Sequence, residues 1–155
     1  MSGAPERTVY YRRSRFTTHL PVGYRYLAAH YWLAEESPGV WRVGLTKFAT
    51  RMLGDVVEFE FTSQPGARVA TGYEIGWIEG LKAVSTVFCA GNGEFLGPSE
   101  HLRQDVTLVE SDPYRKGWLY RLRGEPASDS VDVHGYTAVL DATIDKMLSA
   151  RHQDD

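Results

Sequence analysis

Short alternations of apolar and polar residues recur along this chain, separated by glycine-bearing turns, and a single long helical period lies near its end. Val40-Trp41-Arg42-Val43-Gly44-Leu45 alternates as a half-buried strand does. Thr46 then stands as the N-cap of a short helix whose apolar side takes Phe48, Ala49, Met52 and Leu53, with Gly54 placed to end it at positive φ. From Val56 to Phe61 the period is two, which predicts Val57, Phe59 and Phe61 on a buried face and Glu58 and Glu60 on a solvated one. Gln64-Pro65-Gly66 predicts a turn. Residues 73–79 and 84–89 predict paired strands, and Gly91-Asn92-Gly93 predicts a further turn before Glu94-Phe95-Leu96. Tyr136, Val139, Leu140, Ile144, Met147 and Leu148 recur at helical spacing, which predicts an amphipathic helix packed on the strands as a lid.

Many short strands without intervening long helices exclude a parallel α/β sheet and point to a small β-sandwich or flattened barrel with peripheral helices. At 155 residues there is material for one core with appendages, and 43% hydrophobic with 24% charged residues is the balance of a folded globular chain. The formal net charge of -3 supplies no cationic excess for nucleic acid. The basic and aromatic cluster Tyr10-Tyr11-Arg12-Arg13-Ser14-Arg15-Phe16 is read as an edge or interface strand, since no recognition motif surrounds it. Cys89 is the single cysteine, which excludes an internal disulfide, fits a reducing cytoplasm, and in Val87-Phe88-Cys89-Ala90 reads as a small buried hydrophobe. No apolar run is long enough to cross a membrane, and the first residues lack the apolar core of a secretory signal. Phosphate-loop, HExxH and paired CxxC motifs are absent from the sequence. Met1 to Glu6 reads as a frayed start, and 151–155 as an unanchored tail.

Lys82 remains to be explained. It lies in Glu79-Gly80-Leu81-Lys82-Ala83-Val84-Ser85, between two alternating stretches, where a charge at a hairpin tip neither packs a core nor supports a helix face. A solvated turn lysine is the plain reading. An exposed amine at a defined position also suits attachment of a swinging cofactor arm.

Three ordered blocks carry a family resemblance: Val43-Gly44-Leu45-Thr46-Lys47-Phe48-Ala49 with Leu53-Gly54-Asp55-Val56-Val57, then Ile75-Gly76-Trp77-Ile78-Glu79-Gly80-Leu81-Lys82-Ala83-Val84-Ser85, then Ser111-Asp112-Pro113-Tyr114-Arg115-Lys116-Gly117-Trp118-Leu119. In this order they resemble the H protein of the glycine cleavage system, a lipoyl carrier, over residues 26–122. The resemblance implies a mainly β, lipoyl-domain-like barrel-sandwich hybrid, with the short helix and a C-terminal amphipathic helix added. It divides the chain into an N-terminal extension (1–25), a carrier domain (26–122), a linker with the C-terminal helix (123–150) and a tail (151–155). For Lys82 it implies lipoate in amide linkage, and for Glu79 recognition by the lipoylating enzyme. Its further implied partners are glycine decarboxylase, aminomethyltransferase and dihydrolipoamide dehydrogenase. It makes the chain a carrier component rather than an enzyme. Tyr114 and Trp118, though part of the third block, read as core and turn residues.

Two positions depart from the family's pattern. The family retains its cationic aminomethyl cargo near acids in a His-Glu-Trp motif and in Lys-Ala-x-Ser-Asp, where this chain has His30-Tyr31-Trp32 and Lys82-Ala83-Val84-Ser85-Thr86. Tyrosine and threonine are neutral at pH 7 and attract no ammonium. Glu35 or Glu36 is the candidate substitute. The departures keep open a lipoate-binding protein of sulfur oxidation or lipoate relay, and an unmodified binding module of the same fold. An enzyme with Lys82 as nucleophile is disfavoured, because an exposed hairpin tip neither desolvates the amine nor places a cation beside it.

Overall fold

The computed structural model describes residues 7–154; Met1 to Glu6, and Asp155 of the tail, lie outside the described residues. The elements in chain order are β1 (Thr8–Arg13), β2 (Phe16–Pro21), β3 (Arg25–Tyr26), β4 (Tyr31–Ser37), β5 (Val40–Leu45), α1 (Lys47–Leu53), β6 (Val56–Phe61), β7 (Arg68–Val69), β8 (Glu74–Gly80), β9 (Val84–Phe88), β10 (Gly91–Pro98), α2 (Glu100–Gln104), α3 (Leu108–Ser111), β11 (Tyr120–Pro126) and α4 (Val133–Asp154). All strand pairings are antiparallel among these. One sheet of six runs β3-β4-β5-β11-β10-β7, one of three runs β6-β8-β9, and β1-β2 stand as a separate hairpin.

The six- and three-stranded sheets share a core. Leu33, Val43, Phe95 and Leu122 from the larger sheet meet Val56, Ile75, Ile78 and Val87 from the smaller one in a single buried cluster. Cys89 belongs to it as the small hydrophobe expected, with its thiol pushed upward in pKa by burial. A second cluster lies beneath α4, where Tyr136, Leu140 and Ile144 pack with Tyr26, Trp32, Trp118 and with Tyr11, Phe16 and Leu20 of the hairpin. The helical spacing therefore reads correctly at Tyr136, Leu140 and Ile144, while Met147 is exposed. The helix also extends to Asp154, past the last apolar position of that period. Asp132 starts it as N-cap residues do, accepting the Gly135 N–H at 2.8 Å.

The basic and aromatic cluster of β1 is accounted for within this layer. Tyr11 is buried and donates to Asp141 at 2.8 Å, and Arg13 bridges Asp141 and Asp145 of α4. Those carboxylates and that phenol join the first strand to the last helix.

Three local expectations are corrected. Val57 is 49% exposed and Val56 is buried instead, because the pairing of β6 with β8 slips between Val56 and Glu58 and turns the side-chain alternation over at that point. Met52 of α1 is also 49% exposed, as it reaches past the core to the rim of a pocket. Gly91-Asn92-Gly93 is no turn but the first part of β10, which pairs with β11 along its whole length. A side chain on Gly93 would strike the Arg123 carbonyl of that neighbour, and its φ of +150° suits glycine.

Candidate functional site

The local sequence builds the surroundings of Lys82 from two sides. Thr46 caps α1 by accepting the Ala49 N–H at 3.4 Å, and Gly54 ends it at φ +75°. Gly80 N–H donates to Ala83 C=O at 2.8 Å and closes a two-residue loop, Leu81-Lys82, between β8 and β9. Such loops favour left-handed residues, yet among the described residues only Ser14 and His30 are non-glycines at positive φ. What holds this loop is the end of α1: Leu81 N–H donates to Asp55 C=O and Lys82 N–H to Leu53 C=O, each at 2.9 Å. The loop backbone is fixed while the Lys82 side chain is exposed, with Leu81 beside it 72% exposed.

Glu79 is half-buried on β8, opposite Glu58 of β6 and Val84 of β9. It stands three residues before Lys82 on the same hairpin.

Beside the loop lies a pocket of about 310 Å³, near the lower end of small-molecule sites at roughly 300–1,000 Å³. α1 contributes Ala49, Met52 and Leu53, β4 contributes Tyr31, and the stretch 83–87 forms the facing wall. Tyr31 and Thr86 thus line one space, although they are remote in sequence. The Tyr31 hydroxyl accepts the Phe88 N–H at 2.9 Å. Burial pushes the Tyr31 phenol upward in pKa and drives His30, also in the lining, down to about 4. Both are neutral at pH 7.

His30 holds its place through structure. Its Nδ1 lies 2.8 Å from the Tyr136 hydroxyl, which lies 2.7 Å from Thr46 Oγ1, so one chain of hydrogen bonds ties α4, the turn before β4 and the cap of α1. Its ring packs on Phe48 at 4.6 Å. Trp32 is buried and donates from Nε1 to Leu45 C=O at 3.1 Å, and Trp118 is buried in the same cluster. Tyr114 is packed against that cluster.

Glu35 and Glu36 are not brought to the pocket. They lie four and five residues beyond Tyr31 on β4, about 13–17 Å along the strand. Glu36 is bound by Arg121 at 2.8 Å, which holds its carboxyl below the usual range, and Glu35 accepts the Gly39 N–H at 3.2 Å. Sequence reasoning also missed Ala49 and Met52 as pocket walls, since their helical spacing signals a core face equally well. Among the described residues no group of His, Cys, Asp and Glu is placed to hold a metal ion, and no helix is long and apolar enough to cross a membrane.

The profile of the glycine cleavage H-protein family matches residues 24–141. The glycine cleavage system H protein of Pseudoalteromonas atlantica is 36% identical over 122 residues, covering 77% of this chain and 94% of that protein. That of Alteromonas mediterranea is 35% identical over 127 residues, covering 80% and 98%. A crystal structure of a glycine cleavage system H protein from Mycobacterium marinum superposes with a TM-score of 0.69 at 27% identity, covering 77% of this chain and 97% of the other. The matched region takes in the Lys82 loop, the pocket beside it and the first part of α4, and on this evidence the chain belongs to the glycine cleavage H-protein family.

Proposed function

We propose that this chain carries lipoate in amide linkage on Lys82 and passes lipoate-bound intermediates between partner enzymes. The observation that carries the reading is the loop itself: Lys82 is exposed, while its backbone is fixed on the end of α1 by two main-chain hydrogen bonds. A carrier needs that combination, because a modifying enzyme must reach the amine and a partner must find it in a constant place. No ion pair among the described residues engages Lys82, so the amine can be acylated without breaking one. When attached, the dithiolane supplies the redox and group-carrying chemistry. The protein supplies position, and tethering raises the local concentration at successive sites to about the millimolar range.

Glu79, on the same hairpin, is the recognition residue for the lipoylating enzyme in this reading. The partners are that enzyme and, for glycine cleavage, glycine decarboxylase, aminomethyltransferase and dihydrolipoamide dehydrogenase; the setting is cytoplasmic. Residues 26–122 act as the carrier unit, with the N-terminal hairpin and α4 forming a layer over it. A second reading, a lipoate-binding protein of sulfur oxidation or lipoate relay, is favoured by the neutral lining of the pocket, where Tyr31 and Thr86 meet without a carboxylate.

Intact mass after expression in a lipoylation-competent host tests the assignment. The wild type is expected to gain one lipoyl group and Lys82→Arg none, with its circular dichroism unchanged, because arginine keeps the charge but forms no lipoyl amide. A lipoylated Lys82→Arg protein, or an unmodified wild type, would sink it.

A further inference from the structure

The β1-β2 hairpin precedes the family-matched residues 24–141, and the fold accounts for only one of its two faces. Alternation along the two strands turns Tyr11, Phe16, Thr18 and Leu20 inward, where all four are buried, and Arg13 closes that side on Asp141 and Asp145 of α4. The opposite face carries Tyr10, Arg12 and His19, all exposed. Tyr10 and His19 stand opposite each other in register with their rings 5.1 Å apart, and Tyr10 is 57% exposed. Arg15, also exposed, lies at the tip where β1 turns into β2.

This face is cationic on an acidic chain. From Arg7 to Ala34 there are five arginines and no Asp or Glu, whereas the whole chain has a net charge of -3. Arg13 is held by α4, and Arg25 by Ser130. Arg12 and Arg15 make no ion pair among the described residues. Arg51 of α1 extends their surface, because its guanidinium lies over the Phe16 ring at 5.7 Å, beside the hairpin tip. Three residues later Gly54 abuts Lys82, so the cationic surface comes within about one helical turn of the residue that bears the arm. Lys47 adds little to it, since the hollow it shares with Arg51 is also lined by Asp55 and Glu110.

Exposed tyrosine beside unpaired arginines is the composition of the energetic centre of a protein interface. Carboxylates are the complement of that charge. A nucleic acid fits less well, because strands of six residues span only about 20 Å and the rest of the molecule repels a polyanion. A second copy fits less well too. The acids it could offer on a strand face, Glu58 and Glu79 opposite each other and Glu60 beside them, lie on β6 and on the strand that leads into Lys82, where docking would cover the arm.

We propose that the outer face and tip of the β1-β2 hairpin, with Arg51, dock an acidic surface of an enzyme that acts on the Lys82 arm. This rests on the carrier reading of Lys82 and deepens it by giving one partner a docking surface outside the family-matched region. Tyr10 and His19 supply the contact area, Arg12 and Arg15 the charge, and Arg51 the side nearest the arm.

The test uses the full-length chain, with lipoylation of Lys82 established by intact mass. The lipoylating enzyme, glycine decarboxylase, aminomethyltransferase and dihydrolipoamide dehydrogenase from the organism that encodes this chain are each assayed with it as substrate, at low and at physiological salt. For at least one of them, Arg12→Glu and Arg15→Glu are each expected to raise the KM for the carrier about fivefold or more with kcat unchanged, and to flatten its salt dependence. Arg12→Lys, which keeps the charge, is expected to stay within about twofold of wild type. Arg68→Glu makes the same change in net charge on β7, at the opposite end of the six-stranded sheet from β3, and is expected to leave KM unchanged. All three arginines are exposed, and unchanged melting temperatures confirm that the variants fold. KM values untouched by both hairpin reversals with all four enzymes, or raised equally by Arg68→Glu, overturn the proposal. A wild-type dimer that Arg12→Glu dissociates, or a single-stranded oligonucleotide bound at physiological salt and released by the same change, overturns it in favour of that occupant. An unlipoylated wild type overturns the carrier reading and the docking role with it; a lipoylated chain indifferent to the reversals overturns the docking role alone.

Discussion

Gly54 and Lys82 touch across the gap between the end of α1 and the tip of the β8-β9 hairpin. A Cβ on Gly54 would lie 2.9 Å from Lys82 Cγ and 3.1 Å from its main-chain nitrogen, and Gly54 sits at φ +75°. Both facts work against any side chain there: the left-handed backbone alone costs about 1–2 kcal/mol for an L-residue. Gly54→Ala should therefore lower the melting temperature and push the loop off the carbonyls of Leu53 and Asp55. The second effect is the informative one. If lipoylation of Gly54→Ala proceeds as fast as that of wild type at a temperature where both are folded, the fixed loop is not what the modifying enzyme reads.

His30 gives the fold a pH dependence whose sign follows from its burial. Its folded pKa falls from the ordinary 6.5 to about 4, so between those values the unfolded chain binds a proton that the folded chain refuses. Stability from this residue is whole above pH 6.5, declines as pH falls, and is lost by about pH 4. At pH 5 the loss is on the order of 1–2 kcal/mol, or about 2–4 °C in melting temperature per kcal/mol for a chain of this size. His30→Asn tolerates the left-handed φ of 72° and cannot titrate. Its melting temperature should change less than that of wild type between pH 7 and pH 5. Parallel curves for the two proteins would assign the acid sensitivity elsewhere.

Much of this was legible because it is local. Thr46 and Gly54 bound α1 from adjacent positions, and the period of two located β5, β8 and β9. What was not legible depends on a neighbour strand. Val57 reads as buried until β8 imposes its slip, and Gly91-Asn92-Gly93 has the composition of a turn until β11 requires close backbone approach. The site shows the same division. Lys82 stands out from the residues around it, whereas the meeting of Tyr31 with Thr86, and the removal of Glu36 to Arg121, follow from pairings that no single segment encodes.

The layer made by the hairpin and α4 has two kinds of contact, and their sizes differ. Leu140 and Ile144 are 0% and 6% exposed, and truncation of either to Ala should cost about 2–5 kcal/mol. Arg13, which bridges Asp141 and Asp145, is solvent-accessible, and exposed pairs of this kind contribute little. Arg13→Ala should move the melting temperature far less than Leu140→Ala. A comparable fall in the two would show that the ionic contacts, not the apolar seam, hold the N-terminal hairpin down.

Tyr31 closes the inner end of the pocket, and removing its hydroxyl isolates that role. In Tyr31→Phe the ring remains in the core, but the Phe88 N–H loses the acceptor that now lies 2.9 Å away. A buried donor left without a partner costs about 1–3 kcal/mol, while one that water can reach costs nearer the 0.5–1.5 kcal/mol of an ordinary hydrogen bond. Phe88 is 40% exposed at the edge of its sheet, so the smaller figure applies. The expected result is a modest fall in melting temperature, faster hydrogen exchange at Phe88 than in wild type, and undiminished lipoylation of Lys82, since the loop is held from α1 and not from β4. Should exchange at Phe88 stay as slow as before, the amide is protected by something other than this hydroxyl, and Tyr31 serves the pocket only as an apolar wall.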